Sequence, residues 1–182
     1  MIYVTHDQED ALTLATKIAL LRAGSVEQVG TPQELYDAPS TRYAAEFLGR
    51  ANILECSVAG PLEGADLRIS LPAAGGATVS ARRGAYRGVG SPALCIRPEH
   101  VVVQKPSRQQ GKLAISATVS HVSYKGAHLD IQCETSNGER VLSRAAPDEQ
   151  SVNLRAGDRV SLSWPTNSSV VVGPSVRARA AS

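Results

Sequence analysis

The sequence predicts an α+β chain, with about fifty residues of helix and hairpin ahead of a longer, mainly β region. Three observations carry this. Ala11, Leu12, Leu14 and Ala15 recur at helical spacing. Thr31-Pro32-Gln33-Glu34 is a helix start, with an N-cap threonine, proline at the first helical position and glutamate closing a capping box. From Ala51 onward, short β-prone runs alternate with Gly, Pro and Ser turns, as in a small barrel or sandwich.

In chain order, Ile2-Tyr3-Val4 reads as a short strand, and Thr5 or Asp7 caps the helix that follows. Acids in its first turn suit the helix dipole. Ile18 to Leu21 and Val26 to Val29 flank Arg22-Ala23-Gly24-Ser25 as a hairpin. After the capping-box helix, Tyr43, Ala44, Phe47 and Leu48 form the stripe of a last helix that stops at Gly49. The expected β-region strands are 53–59, 67–71, 77–81, 93–97, 100–104, 113–124, 128–134, 139–143 and 159–164, with Val170 to Val172 as a further one. Trp164 closes an alternating run and belongs to the core. Lys105 to Gly111 is a polar break, and the tail from Pro174 has nothing to bury.

The bulk numbers exclude several classes. A net charge of +2 gives no steering toward phosphate polymers, and 4% aromatic residues is thin for base stacking. Arg82, Arg83 and Arg87 among glycines read as a solvated loop, so no nucleic-acid partner is expected. The apolar runs are too short to cross a bilayer, and Asp7, Glu9 and Asp10 interrupt any signal peptide. Cys56, Cys95 and Cys133 are widely spaced, which suits reduced thiols in a cytosolic protein. His121 and His128 flank Tyr124-Lys125-Gly126, but a metal site would need further ligands, so no metal is expected. No Ser-His-Asp or Cys-His arrangement is readable.

His6 is the candidate catalytic residue. A strand running into Thr-His-Asp-Gln and then a helix places it at the carboxyl edge of a sheet, where open α/β folds bind ligands. An imidazole there donates to a phosphate oxygen or holds an attacking water, and phosphoryl transfer depends on such positioning. A lone histidine at a helix start is otherwise an ordinary packing residue.

The surrounding residues decide between these readings. Met1 to Leu12 resembles the switch-histidine region of ABC transporter ATPases, of the importer branch serving maltose, polyamines, ferric iron and glycerol phosphate. The resemblance continues through Gly24 to Tyr36, Pro39, Phe47-Leu48-Gly49 and Asn52. Ile96-Arg97-Pro98-Glu99-His100 resembles the hallmark of the TOBE regulatory domain, an OB-fold-like module, and Tyr124-Lys125-Gly126, Gly157-Asp158-Arg159-Val160 and Trp164 fit the same domain. Thr16, ahead of Lys17-Ile18, departs from the family's usual Asp, which is not a phosphate contact.

The resemblance implies three segments. Residues 1–50 would be the C-terminal remnant of an ABC nucleotide-binding domain, 51–173 a TOBE regulatory domain and 174–182 a flexible tail. It implies that His6 contacts the γ-phosphate of ATP. In the full-length parent it implies ATP and Mg as cofactors, membrane-spanning permease subunits and a second ATPase subunit as partners, and a cytoplasmic place on the inner face of the membrane. No Gly-x-x-x-x-Gly-Lys-[Ser/Thr] loop occurs, and Gly111-Lys112-Leu113 fails in spacing and hydroxyl. The signature and acidic magnesium residues are missing too, so this chain alone is expected to be inactive. Arg97-Pro98-Glu99 reads first as a fold corner and second as a regulatory contact with a partner or small-molecule regulator. The alternative function is a stand-alone OB-fold module binding a small solute or oxyanion. Without neighbours, residues 1 to about 30 are expected to be disordered, repacked or self-associating.

Overall fold

The computed structural model describes residues 1–61, 66–88, 90–106, 114–148 and 151–174. The first fifty residues contain α1 (Gln8–Leu14), a hairpin of β1 (Ile18–Arg22) and β2 (Ser25–Gly30), α2 (Pro32–Asp37) and α3 (Arg42–Phe47). Asp7 caps α1 by accepting from the backbone N–H groups of Glu9 and Asp10. Ala23 and Gly24 both take positive φ, the geometry that a tight two-residue hairpin turn requires. The α2 capping box forms as the sequence predicts: Thr31 accepts from the Glu34 N–H, and the Glu34 carboxylate accepts from the Thr31 N–H.

One expectation for this segment needs correction. Ile2 to Val4 form no strand; Ile2 and Val4 are 94% and 90% exposed. A β-strand is held by a neighbour's hydrogen bonds, and no described strand lies beside it. The hairpin packs against α2 and α3. Leu20 is buried against Leu35, Ala44 and Leu48, with Leu12, Ile18, Tyr43 and Phe47 partly buried around them.

The β region holds β3 (Asn52–Glu55), β4 (Ser57–Pro61), β5 (Asp66–Leu71), β6 (Ala77–Arg82), β7 (Ala93–Ile96), β8 (Val102–Gln104), β9 (Ile115–Tyr124), β10 (Leu129–Thr135), β11 (Arg140–Ala145), β12 (Arg159–Ser163) and β13 (Ser169–Val172). The described strands form a six-stranded sheet, ordered β3-β7-β13-β6-β5-β4, and a five-stranded sheet, ordered β11-β10-β9-β12-β8. They share one core that includes Ile69, Leu71, Leu94, Ile96, Ile115, Ile131, Leu162 and Trp164.

Several strand boundaries differ from the sequence reading. The expected strand 53–59 breaks at Cys56 into β3 and β4, which lie on opposite edges of the same sheet. The expected strand from His100 starts two residues later, because Pro98–His100 make a 3-10 turn first. Most of the polar break at Lys105 to Gly111, the start of the strand expected from Leu113, and the tail beyond Pro174 lie outside the described residues.

Asn52 closes the structure between the two sheets. Its side-chain Nδ2 donates to the Leu142 carbonyl at 2.8 Å, and its Oδ1 accepts from the Leu142 N–H at 2.7 Å. A side-chain amide thus stands in for a strand backbone along the edge of β11, satisfying groups that are costly to leave unpaired.

Candidate functional site

The two candidate sites are separate in kind. His6 lies at the bend just before α1 and is exposed. Among the described residues its imidazole forms no hydrogen bond or ion pair, and nothing brings it to Arg97, Pro98 or Glu99.

Arg97, Pro98 and Glu99 are brought together with the first fifty residues. β7 ends at Ile96, and the chain turns at the proline, which has no N–H to donate to a ladder. Pro98 is itself buried. Arg97 is only 4% exposed. Its Nη2 and Nε donate to the Tyr36 carbonyl at 2.9 and 3.2 Å. Its Nη1 donates to the Ala45 carbonyl at 2.9 Å and reaches the Gly49 and Arg50 carbonyls at 3.4 Å. These oxygens lie at the C-terminal ends of α2 and α3, where helices leave carbonyls unpaired and carry partial negative charge. The guanidinium therefore serves as a shared C-terminal cap.

The Tyr36 ring completes the joint. Arg97 Cζ lies 4.0 Å from its centroid, a cation–π geometry. The Tyr36 hydroxyl donates to Glu99 Oε1 at 2.7 Å. Gly49 turns the chain past the Tyr36 ring at φ 114°, a backbone conformation that residues with a Cβ rarely adopt. Other ties run alongside. Arg82 Nη2 donates to the Asp37 carbonyl, Arg42 pairs bidentately with Glu55, and Thr41 bridges Gly173 in parallel. Sequence reasoning named Arg97 and Glu99 but missed Tyr36, although it stands in a motif the reading had singled out.

Burial first, then the hydrogen bond and the charge of Glu99, push the Tyr36 phenol up from 10.0 to about 12. The folded form thus favours the neutral phenol. Its contribution to stability is complete below about pH 10 and is lost as pH rises through about 12. Denaturant titrations across that window are expected to show a fall in stability that Tyr36→Phe removes. An identical fall in the variant would mean that another group titrates.

A second unforeseen cluster surrounds Asp130, which is 5% exposed. Its carboxylate lies 3.2 Å from Arg144 Nε, 3.5 Å from Arg50 Nη1 and 3.4 Å from His128 Nε2. His121 sits on β9 opposite Gln132 rather than beside His128. Among the described residues, no three His, Cys, Asp or Glu side chains gather as metal ligands. No described helix is long and apolar enough to cross a membrane.

Residues 94–172 match the TOBE domain family. The fold resembles that of the cytoplasmic molybdate-binding protein ModG, with a TM-score of 0.57, 14% identity, and coverage of 68% of this chain and 96% of that one. A mainly β chain with a TOBE domain and a short helical segment clamped to it defines the class. In sequence the chain is, more particularly, similar to ATP-binding subunits of ABC importers. It is 34% identical to the spermidine/putrescine import ATP-binding protein PotA of Rubrobacter xylanophilus, over 94% of this chain and 45% of the relative. It is 32% identical to the Fe(3+) ions import ATP-binding protein FbpC of Rhizobium etli, over 84% of this chain and 42% of the relative. It is 34% identical to the putative 2-aminoethylphosphonate import ATP-binding protein PhnT of Salmonella typhimurium, over 94% and 45%. The chain thus spans less than half the length of these relatives.

Proposed function

We propose that this chain is the C-terminal part of the ATP-binding subunit of a bacterial ABC importer, the subunit that couples ATP hydrolysis to solute uptake. The observation that carries this is a similarity to such subunits over 94% of the chain, which takes in both the helical segment and the β region. Residues 1–50 are the end of the nucleotide-binding domain and residues 51–173 the regulatory domain.

In the whole subunit His6 meets the γ-phosphate of ATP and orients the attacking water. Magnesium and the β-phosphate are held by residues outside these 182, since no phosphate loop occurs among them. The exposed imidazole ahead of α1 is compatible with that role. The subunit works as a pair, docks on membrane-spanning permease subunits from the cytoplasmic side and takes no nucleic acid. Arg97 and Glu99 hold the regulatory domain in register with α2 and α3, so a change sensed in one is felt by the other.

The test is complementation. Purified alone, the chain is expected to hydrolyse no Mg-ATP above blank. Co-folded with a polypeptide carrying the phosphate loop and signature of a PotA-type relative, it is expected to restore magnesium-dependent turnover. Turnover by the isolated chain, or a folded assembly that stays inactive, would overturn the reading.

A second reading, a stand-alone module for a small oxyanion, draws support from the fold shared with a molybdate-binding protein. Calorimetric titration of the chain with molybdate and sulfate tests it: heat at micromolar ligand supports it, and silence removes it.

A further inference from the structure

We propose that Asn137 is a latent deamidation site, held closed by the β10–β11 turn, and that its conversion to aspartate or isoaspartate releases the tie between that turn and β3. Asn137-Gly138 is the one Asn-Gly pair in the sequence. Asparagine is a chemically labile residue, and a following glycine has no Cβ to keep its nitrogen away from the side-chain amide. In the reaction the Gly138 nitrogen attacks Asn137 Cγ. An N–Cγ bond forms, the Cγ–Nδ2 bond breaks, and Nδ2 leaves as ammonia with the Gly138 amide proton. Water then opens the resulting succinimide, giving aspartate or isoaspartate at position 137. Water is the only co-reactant, and no electron is transferred.

The pair lies at the exposed tip of the β10–β11 hairpin, where water reaches it. Yet the groups that must react are engaged. The Gly138 N–H donates to the Thr135 carbonyl at 3.0 Å, and the Thr135 N–H donates to the Glu139 carbonyl at 3.0 Å. Gly138, at φ 84°, completes this short turn in the left-handed region. The Asn137 side chain is held at both ends: Oδ1 accepts from the Thr135 hydroxyl, and Nδ2 donates to Glu139 Oε2 at 2.8 Å. Cyclisation needs a deprotonated Gly138 nitrogen turned onto Cγ and the amide swung to meet it, so these bonds must break first. The turn has to open locally before it can react.

The Glu139 carboxylate carries the consequence. One oxygen takes the Asn137 amide, and the other accepts from the Glu55 N–H of β3 at 2.8 Å. Glu55 in turn pairs with Arg42 of α3. Deamidation puts a carboxylate oxygen where the Nδ2 donor stood, facing the Glu139 carboxylate at hydrogen-bond range, and like charges there repel. Glu139 is pushed off, and the Glu55 N–H loses its acceptor. The isoaspartate form also adds a backbone atom to a turn whose length fixes the β10–β11 register. None of this chemistry involves His6.

The experiment is peptide mapping by mass spectrometry of the full chain, incubated at mildly alkaline pH either folded or unfolded in urea. Position 137 is expected to deamidate at least about tenfold more slowly in the folded chain, a comparison that needs no substitution. Thr135→Val, which removes the hydroxyl that holds Oδ1, is expected to speed the folded-state reaction about fivefold and leave the unfolded rate as it is. Amide exchange reads the consequence. Asn137→Asp is expected to exchange the Glu55 N–H about fivefold faster than the unsubstituted chain, and Asn137→Ala, which removes the donor without adding a charge, to show less than half of that change. Equal deamidation in the folded and unfolded chain, or indifference to Thr135→Val, would mean that the turn protects nothing. Unchanged Glu55 exchange in Asn137→Asp would mean that conversion releases nothing. Each would overturn the proposal.

Discussion

Replacing Arg97 with alanine is expected to destabilise the chain by about 3 kcal/mol and to loosen residues 32–50 before anything else. The guanidinium is 4% exposed and bonded to carbonyls of Tyr36 and Ala45 at 2.9 Å. A hydrogen bond to a charged group contributes about 1.5–3 kcal/mol, and truncation also strands carbonyls that then go unpaired. The bonds share one side chain, so their values do not add. Arg97→Lys keeps the charge but loses the fork and the stacking on Tyr36, and is expected to recover less than half of the loss. Denaturant unfolding gives the magnitude, and amide exchange gives the location. A cost below about 1 kcal/mol, or faster exchange confined to the β sheets, would show that the clamp holds nothing.

Leu94→Ala is expected to cost about 3 kcal/mol and to act on the β region as a whole. Leu94 is fully buried on β7, between β3 and β13, inside the core shared by both sheets. Removing its branched end leaves a cavity that a strand with neighbours on both sides cannot collapse to fill. Leu35→Ala is the informative companion. Leu35 is equally buried, but its cluster contains only residues of the first fifty and their hairpin. Its loss is expected to melt that segment while the sheets keep their exchange protection. Simultaneous loss of protection everywhere in Leu35→Ala would mean that the two cores unfold as one unit.

What the sequence made legible was local. The α2 capping box needs residues three apart, and the hairpin turn needs two adjacent residues able to take positive φ. Both were readable for that reason. Trp164 was readable as core because strand alternation repeats every two residues. The strand at Ile2 to Val4 failed because a strand's existence depends on a neighbour that its own sequence does not describe. The break at Cys56 was invisible for a related reason. No glycine or proline marks it, and it follows from the chain leaving one sheet edge for the other.

The candidate site divides in the same way. Arg97-Pro98-Glu99 was visible as a corner, since proline ends a ladder and the flanking charges need partners. The partners were not visible. Tyr36 and Ala45 lie 61 and 52 residues away in sequence, and Arg97 reaches them through backbone oxygens, which leave no trace in side-chain pattern. The Asp130 cluster was hidden for the same reason: Arg50 comes from the segment after α3 and Arg144 from β11. His6 stood out through its family resemblance, while its surroundings here are solvent.

The most direct measurement is the effect of His6→Ala on ATP turnover in the complemented assembly with a phosphate-loop-bearing polypeptide. A residue that orients the attacking water and contacts only the γ-phosphate acts in the transition state, so kcat is expected to fall about a hundredfold or more, with the KM for ATP changed by less than about threefold. A His6→Ala assembly that folds, binds nucleotide and turns over at the unsubstituted rate would contradict the account.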